Sequence, residues 1–198
     1  MKKGFIDESL DLLERQCRDH LVIAPYANPT HRHLWSLRLQ HTFETQVFAD
    51  DEHCARVLTA LDRELRRKIT LHYRPAQGAE SSEHGRWRSD GTMWIRPAMP
   101  SRMLMTMAHE CGHMFTQLAL GIETYADLPD PLHEVIAESV AFVVLRAVGV
   151  DTLEHSAAYV TNNEAGGGIA PGSVRDLIAH IAHTVIGLLP PSDLRGVA

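Results

Sequence analysis

The sequence predicts an α+β fold with its strands grouped in the middle: helices, then a small sheet, then four more helices. Three observations carry this reading. Apolar residues recur at helical spacing before residue 68. The period changes to two between Ile69 and Ile95. Helical runs then return, bounded by Ser101, Gly121, Asp130 and Gly149.

Taken in order, Ile6, Leu10, Leu13, Cys17 and Leu21 form one stripe that Pro25 stops, which predicts a helix over 7–22. Residues 25–50 stay open: Trp35, Leu37, Leu39, His41 and Phe43 alternate as in a strand, yet the composition also suits a helix. Asp51 reads as the N-cap of a helix with the apolar stripe Cys54, Val57, Leu58, Leu61 and Leu65. Ile69, Leu71 and Tyr73 predict a strand, and residues 75–85 a polar loop. Ser89-Asp90-Gly91 is a turn that joins Arg86-Trp87-Arg88 to Thr92-Met93-Trp94-Ile95 as a hairpin. Ser101 reads as the cap of a helix through Leu104, Met107, Ala108, Cys111, Phe115 and Leu118, closed by Gly121. Asp130-Pro131 makes an N-cap and first-turn pair for a helix ending at Gly149. Helices near 152–162 and 174–187 follow, separated by Gly166-Gly167-Gly168. The organisation expected is a single domain over 1–198, with 1–68 a mainly helical N-terminal extension and 69–190 the core that carries the chemistry.

Composition removes several function classes. With 44% apolar and 22% charged residues in a chain of 198, the mixture is that of a globular protein rather than a disordered one. The longest apolar candidate for a membrane span, Val140 to Val150, is too short and contains Arg146. The start, Met-Lys-Lys followed by Asp7-Glu8, is too acidic for a signal peptide, so a soluble cytoplasmic protein without a membrane partner is expected, or one exported by a route the sequence does not show. The three cysteines, Cys17, Cys54 and Cys111, form no Cys-x-x-Cys, which argues against a disulfide framework and a cysteine-based zinc site. Charge is uneven: residues 1–102 hold 16 Lys/Arg against 14 Asp/Glu, and residues 103–198 hold 3 against 11. The basic excess between Arg56 and Arg102 is modest for a nucleic-acid footprint and suits a solvated helix face.

The chemistry lies in His109-Glu110-Cys111-Gly112-His113. Two histidines at i and i+4 share a helical face and can offer imidazole nitrogens to one Zn²⁺; the adjacent glutamate can take a proton from the water that zinc acidifies. In a chain with 13 histidines, chance produces this motif roughly 5% of the time, so the third ligand decides. A histidine ten residues after the first would complete one known pattern, but Ala119 stands there, and Thr116 stands where that pattern needs glycine. The remaining branch needs a glutamate on a returning helix. Glu134 and Glu138 lie at i and i+4 after Asp130-Pro131, on a stretch otherwise so apolar that a buried carboxylate there calls for a cation. Glu134 reads as the third ligand. Glu138 reads as the acceptor for the far ring nitrogen of a ligand histidine, with the exchange of these two roles left open. Tyr159, His180 and His183 are candidates for polarising a substrate carbonyl, and spacing does not choose among them. Cys111 is turned about 200° from His109 on the helix and reads as core. Trp35, Trp87 and Trp94 read as core or sheet-face aromatics.

Thr106-Met107-Ala108-His109-Glu110-Cys111-Gly112-His113, together with Glu134-x-x-Ala137-Glu138-Ser139-Val140-Ala141-Phe142, resembles the ImmA/IrrE family of metallopeptidases. It is also similar to the metallopeptidase-like C-terminal domain of ArdC-type antirestriction proteins. The likeness spans roughly Thr92 to Leu188. It implies a gluzincin-like minimal metallopeptidase: a small sheet packed against an active-site helix and a glutamate helix, with extra N-terminal helices. It also implies one Zn²⁺ per chain held by His109, His113 and Glu134, Glu110 as catalytic base, and the strand Thr92–Arg96 lining the substrate groove. Many relatives carry Asn or Asp where this chain has Glu138, which keeps Glu138 open as the third ligand. The activity implied is hydrolysis of peptide bonds in a specific intracellular protein. Two rivals accompany it: an antirestriction or DNA-associated binding module that keeps metal for structure, and an inactive regulator on a peptidase scaffold. Any link to DNA or to a transcriptional regulator rests on kinship alone, since residues 1–85 match no helix-turn-helix or single-stranded-DNA module.

Overall fold

Seven helices and one three-stranded sheet form among the residues described by this computed structural model, which are 3–23, 50–77, 83–163 and 172–195. The elements are α1 (Lys3–Ile23), α2 (Asp51–Leu65), β1 (Thr70–Tyr73), β2 (Gly85–Trp87), β3 (Thr92–Ile95), α3 (Pro100–Leu120), α4 (Ile122–Ala126), α5 (Asp130–Ala147), α6 (Leu153–Asn163) and α7 (Gly172–Ile186). The fold is α+β and mostly helical. The ambiguous stretch 25–50 falls outside the described residues except for Asp50, and so do Trp35 and Gly166-Gly167-Gly168. No described helix is long and apolar enough to cross a membrane.

The N-terminal helices share the core with everything that follows. Leu10 and Leu13 of α1 are fully buried, and each such burial contributes about 1.5–3 kcal/mol. The helix packs on α5, α6 and α7, and Arg175 of α7 clasps it through Glu14 at 2.6 Å, Asp11 at 2.7 Å and the Asp7 carbonyl at 3.0 Å. One apolar cluster runs from Phe5 to Leu189.

Helix α1 begins at Lys3 rather than at residue 7, and three expected N-caps are displaced, each for a local reason. Asp50, not Asp51, caps α2: its Oδ1 accepts from the His53 amide at 2.8 Å, three residues on, and Asp51 falls into the first turn. Helix α3 begins at Pro100, one residue before the expected cap; Ser101 lies inside the helix with its hydroxyl buried and unpartnered. Proline suits that first position because its missing N–H would bond nothing there. Likewise Asp130 and Pro131 are both inside α5, and Pro129 precedes them.

The hairpin forms as expected, with Gly91 at φ +86° in its turn and Asp90 accepting from the Thr92 amide at 3.0 Å. The pairing order, β1-β3-β2, was not legible: β1 pairs with β3 in parallel, so β3 is central and β2 is an edge. This corrects the expectation that Thr92–Arg96 lines a groove. Met93, Trp94 and Ile95 of β3 are buried between neighbours, and the edge that approaches the motif helix belongs to β2.

Candidate metal centre

Two glycines set how closely the flanking elements approach α3. A Cβ on Gly85 would lie 2.6 Å from Cγ2 of Thr106 and 2.9 Å from the Trp94 carbonyl, so only glycine lets β2 sit this close to the helix. A Cβ on Gly112, inside the motif itself, would lie 2.6 Å from Cα and 2.8 Å from the carbonyl oxygen of Ala137. Backbone-to-backbone contact at that point brings the first turns of α5 against the histidine face of α3.

The result is a triangle of donors. His109 Nε2 and His113 Nε2 are 3.1 Å apart; Glu134 sets one oxygen 3.4 Å from the first and the other 3.6 Å from the second. These three side chains could hold a metal ion. Donors each about 2.0–2.2 Å from one tetrahedral ion stand roughly 3.3–3.6 Å apart, and the three separations here are near that, the two to Glu134 through different oxygens of its carboxylate.

Each donor is held from behind. His109 Nδ1 meets Glu138 Oε2 at 3.0 Å, Glu138 Oε1 accepts from Ser156 Oγ at 2.6 Å, and Thr152 Oγ1 lies 3.1 Å from Ser156 Oγ. Glu134 Oε2 accepts from the Tyr159 hydroxyl at 2.6 Å. His113 Nδ1 lies 3.1 Å from the hydroxyl of Tyr125. Glu110 stands apart from the triangle: it is 6% exposed, and its Oε2 accepts from the Trp87 amide at 2.7 Å. The Trp87 indole donates to Gln117 Oε1 at 2.8 Å, so this residue of β2 grips α3 at two points.

Electrostatics follow from burial among three carboxylates. Burial opposes charge on His109, but Glu134 and Glu138 outweigh it and raise the imidazole to about 10. Burial likewise pushes Glu134 and Glu138 upward, yet the His109 cation dominates and draws both down to about 2. His113 is lowered to about 3 by burial and by its charged neighbour, so it is neutral. Glu110 is raised to about 7, chiefly by burial, which sets its affinity for protons near neutrality. A proton on His109 thus balances a group of carboxylates that a divalent cation would balance better. The donor set, two imidazoles and one carboxylate, is one that zinc takes.

The structure brings together His109, Glu110, His113, Glu134, Glu138 and Tyr159. It sets Glu134 toward the imidazole Nε2 atoms and Glu138 on the far nitrogen of His109. Tyr159 meets the centre through Glu134, whereas His180 and His183 are exposed on α7. Cys111 is wholly buried, its thiol raised by burial and by Glu110. Tyr125, Ser156, Thr152 and Trp87 were missed, because each contributes one polar atom from an element whose placement is tertiary. Gly112 left a readable trace: a glycine in the interior of a helix costs about 1 kcal/mol and asks for a packing reason. Compared with models of known families, with curated proteins and with solved structures, the chain finds no match.

Proposed function

We propose that this protein is a zinc-dependent peptidase that hydrolyses peptide bonds of a protein substrate, on a gluzincin-like scaffold akin to the ImmA/IrrE family. The observation that carries the reading is the His109–His113–Glu134 triangle with a separate carboxylate, Glu110, beside it. A site built only for structure has no use for that fourth, proton-accepting group. When bound, Zn²⁺ supplies a Lewis acid that acidifies water and polarises a carbonyl.

The chain's own residues do the rest. Glu110, raised toward neutrality by burial, accepts a proton from the attacking water and returns it to the leaving amine. The Trp87 amide, donating at 2.7 Å, fixes that carboxylate. Tyr159, whose hydroxyl is committed to Glu134, serves to hold the ligand carboxylate rather than to stabilise the reacting carbonyl. Strand β2 offers the substrate its edge. His84 and Arg88 bond across to Arg96 and Thr92, so Gly85 and Trp87, one residue out of step, turn their backbone groups the other way, where the Trp87 amide is taken by Glu110. An extended peptide added there would bond the Gly85 groups and the Trp87 carbonyl.

A DNA-binding reading draws less support. Arg56, Arg63, Arg66, Arg67 and Arg86, half of the basic residues between Arg56 and Arg102, each have a carboxylate within 4.0 Å. The test incubates zinc-loaded protein with a complex peptide mixture and reads new termini by mass spectrometry. Wild type is expected to produce a recurrent set of cleavages and Glu110→Gln none. Zinc-loaded wild type that yields no new termini beyond the Glu110→Gln background overturns the peptidase assignment.

A further inference from the structure

We infer that Tyr125, on the short helix α4, is a positioning residue that fixes the imidazole of His113 for metal binding, an inference that rests on the metal centre proposed above. His113 has two nitrogens and two neighbours. Its Nε2 faces His109 Nε2 at 3.1 Å, and its Nδ1 faces the Tyr125 hydroxyl at 3.1 Å. His109 Nε2 and Glu134 Oε1 both lie on the Nε2 side of His113, so Nε2 is the nitrogen that a metal among these donors would take. An imidazole that gives Nε2 to a metal keeps its single proton on Nδ1. The acceptor for that proton is the oxygen of Tyr125. Turned this way, His113 presents to a metal the nitrogen that must bind it, with the other nitrogen held on Tyr125.

Helix α4 has little else to hold it. Its five residues include none that is buried, and Ile122 is 54% exposed. It is strung between Gly121, at φ +81°, and Pro129. Tyr125 is its anchor: the ring lies against His133 of α5, centroids 4.3 Å apart, while the hydroxyl reaches α3. The same side chain therefore joins α4, α3 and α5 next to two of the three donors. Glu138 gives His109 a full charge to lean on, whereas Tyr125 gives His113 only a neutral oxygen. Of the two histidines, His113 is the one held by a single neutral atom that a substitution can remove.

The experiment measures zinc affinity by competition with a chromogenic chelator for wild type, Tyr125→Phe, Ile122→Ala and His109→Ala, with thermal melting alongside. Tyr125→Phe keeps the ring against His133 and deletes the acceptor; it is expected to weaken zinc by roughly 10–100-fold. Ile122→Ala, on the same helix, is expected to leave affinity unchanged. Long-range ¹H–¹⁵N spectra of wild type are expected to show His113 protonated at Nδ1, a readout that does not need the variant to fold. Equal zinc affinity in wild type and a folded Tyr125→Phe overturns the inference, and so does a His113 protonated at Nε2. If His109→Ala also binds zinc like wild type, the metal centre itself is wrong; if only Tyr125→Phe is silent, the centre stands and this inference alone falls.

Discussion

Replacing Gly112 by alanine separates two physical expectations of opposite sign. From helix propensity alone the change is favourable by about 0.8–1.0 kcal/mol, because Gly112 lies in the interior of α3. From the packing it is not. The new methyl would sit 2.6 Å from Cα and 2.8 Å from the carbonyl oxygen of Ala137, and these are backbone atoms that cannot swing aside. Ordinary carbon contacts are about 3.5–4.0 Å, so α5 must retreat by roughly 1 Å. Overpacking of this kind costs about 1–3 kcal/mol, leaving a net destabilisation of about 0–2 kcal/mol and a melting temperature lowered by up to roughly 8 °C. The retreat also carries Glu134 away from imidazoles that it now faces at 3.4 and 3.6 Å. A carboxylate bound at about 2.0–2.2 Å does not stretch to follow, so zinc affinity is expected to fall by roughly 10–100-fold. Thermal melting with and without zinc, plus chelator competition, reads both effects. A Gly112→Ala protein that melts higher than wild type and binds zinc equally well would refute the close-packed geometry on which the centre depends.

The other predictions follow from the same contacts. Glu110→Gln is expected to keep zinc near one per chain while cleavage falls by roughly 10²–10⁴, measured as metal content and rate side by side. Glu138→Gln, which leaves His109 with a neutral partner, is expected to weaken zinc by about 10–100-fold, and Glu134→Gln to lose zinc and activity together. Without metal, the raised His109 stabilises the fold fully below about 6.5, and that contribution is lost as pH rises through about 10. The lowered Glu134 and Glu138 contribute above about 4.5 and lose it as pH falls toward about 2. Melting in the presence of a strong chelator is therefore expected to plateau between those limits and decline on both sides. Zinc binding, which must displace the His109 proton, is expected to tighten as pH rises through neutrality and to release about one proton, measurable by titration calorimetry in buffers of differing ionisation enthalpy.

The parts legible in the sequence were those set by local rules. The stripes of α1 and α2, the turn at Gly91, and the shared face of His109 and His113 all follow from periodicity and backbone preference within a few residues. Glu134 and Glu138 were found because carboxylates on an apolar helix need a partner, and their separate roles then follow from one turn of offset along α5. What stayed hidden is tertiary. Strand order depends on which edge α3 covers, and nothing local in Thr92–Ile95 shows that β3 is the centre of the sheet rather than its groove edge. Helix α4, at five residues, is too short to display a period, and with it Tyr125 went unnoticed. Asp50 and Asp51 are chemically alike, and only the bond from the His53 amide tells which one caps.

On the proposed function, one zinc ion is held by His109, His113 and Glu134, with Glu110 beside it and unbound. Crystals of the zinc-loaded protein, measured on both sides of the zinc absorption edge, test it most directly. A single anomalous peak is expected about 2.0–2.2 Å from His109 Nε2, His113 Nε2 and a Glu134 oxygen, with Glu138 still on His109 Nδ1 and Glu110 outside bonding distance. A peak ligated by Glu138 or Glu110 in place of Glu134, or no zinc peak between the two histidines, would contradict it.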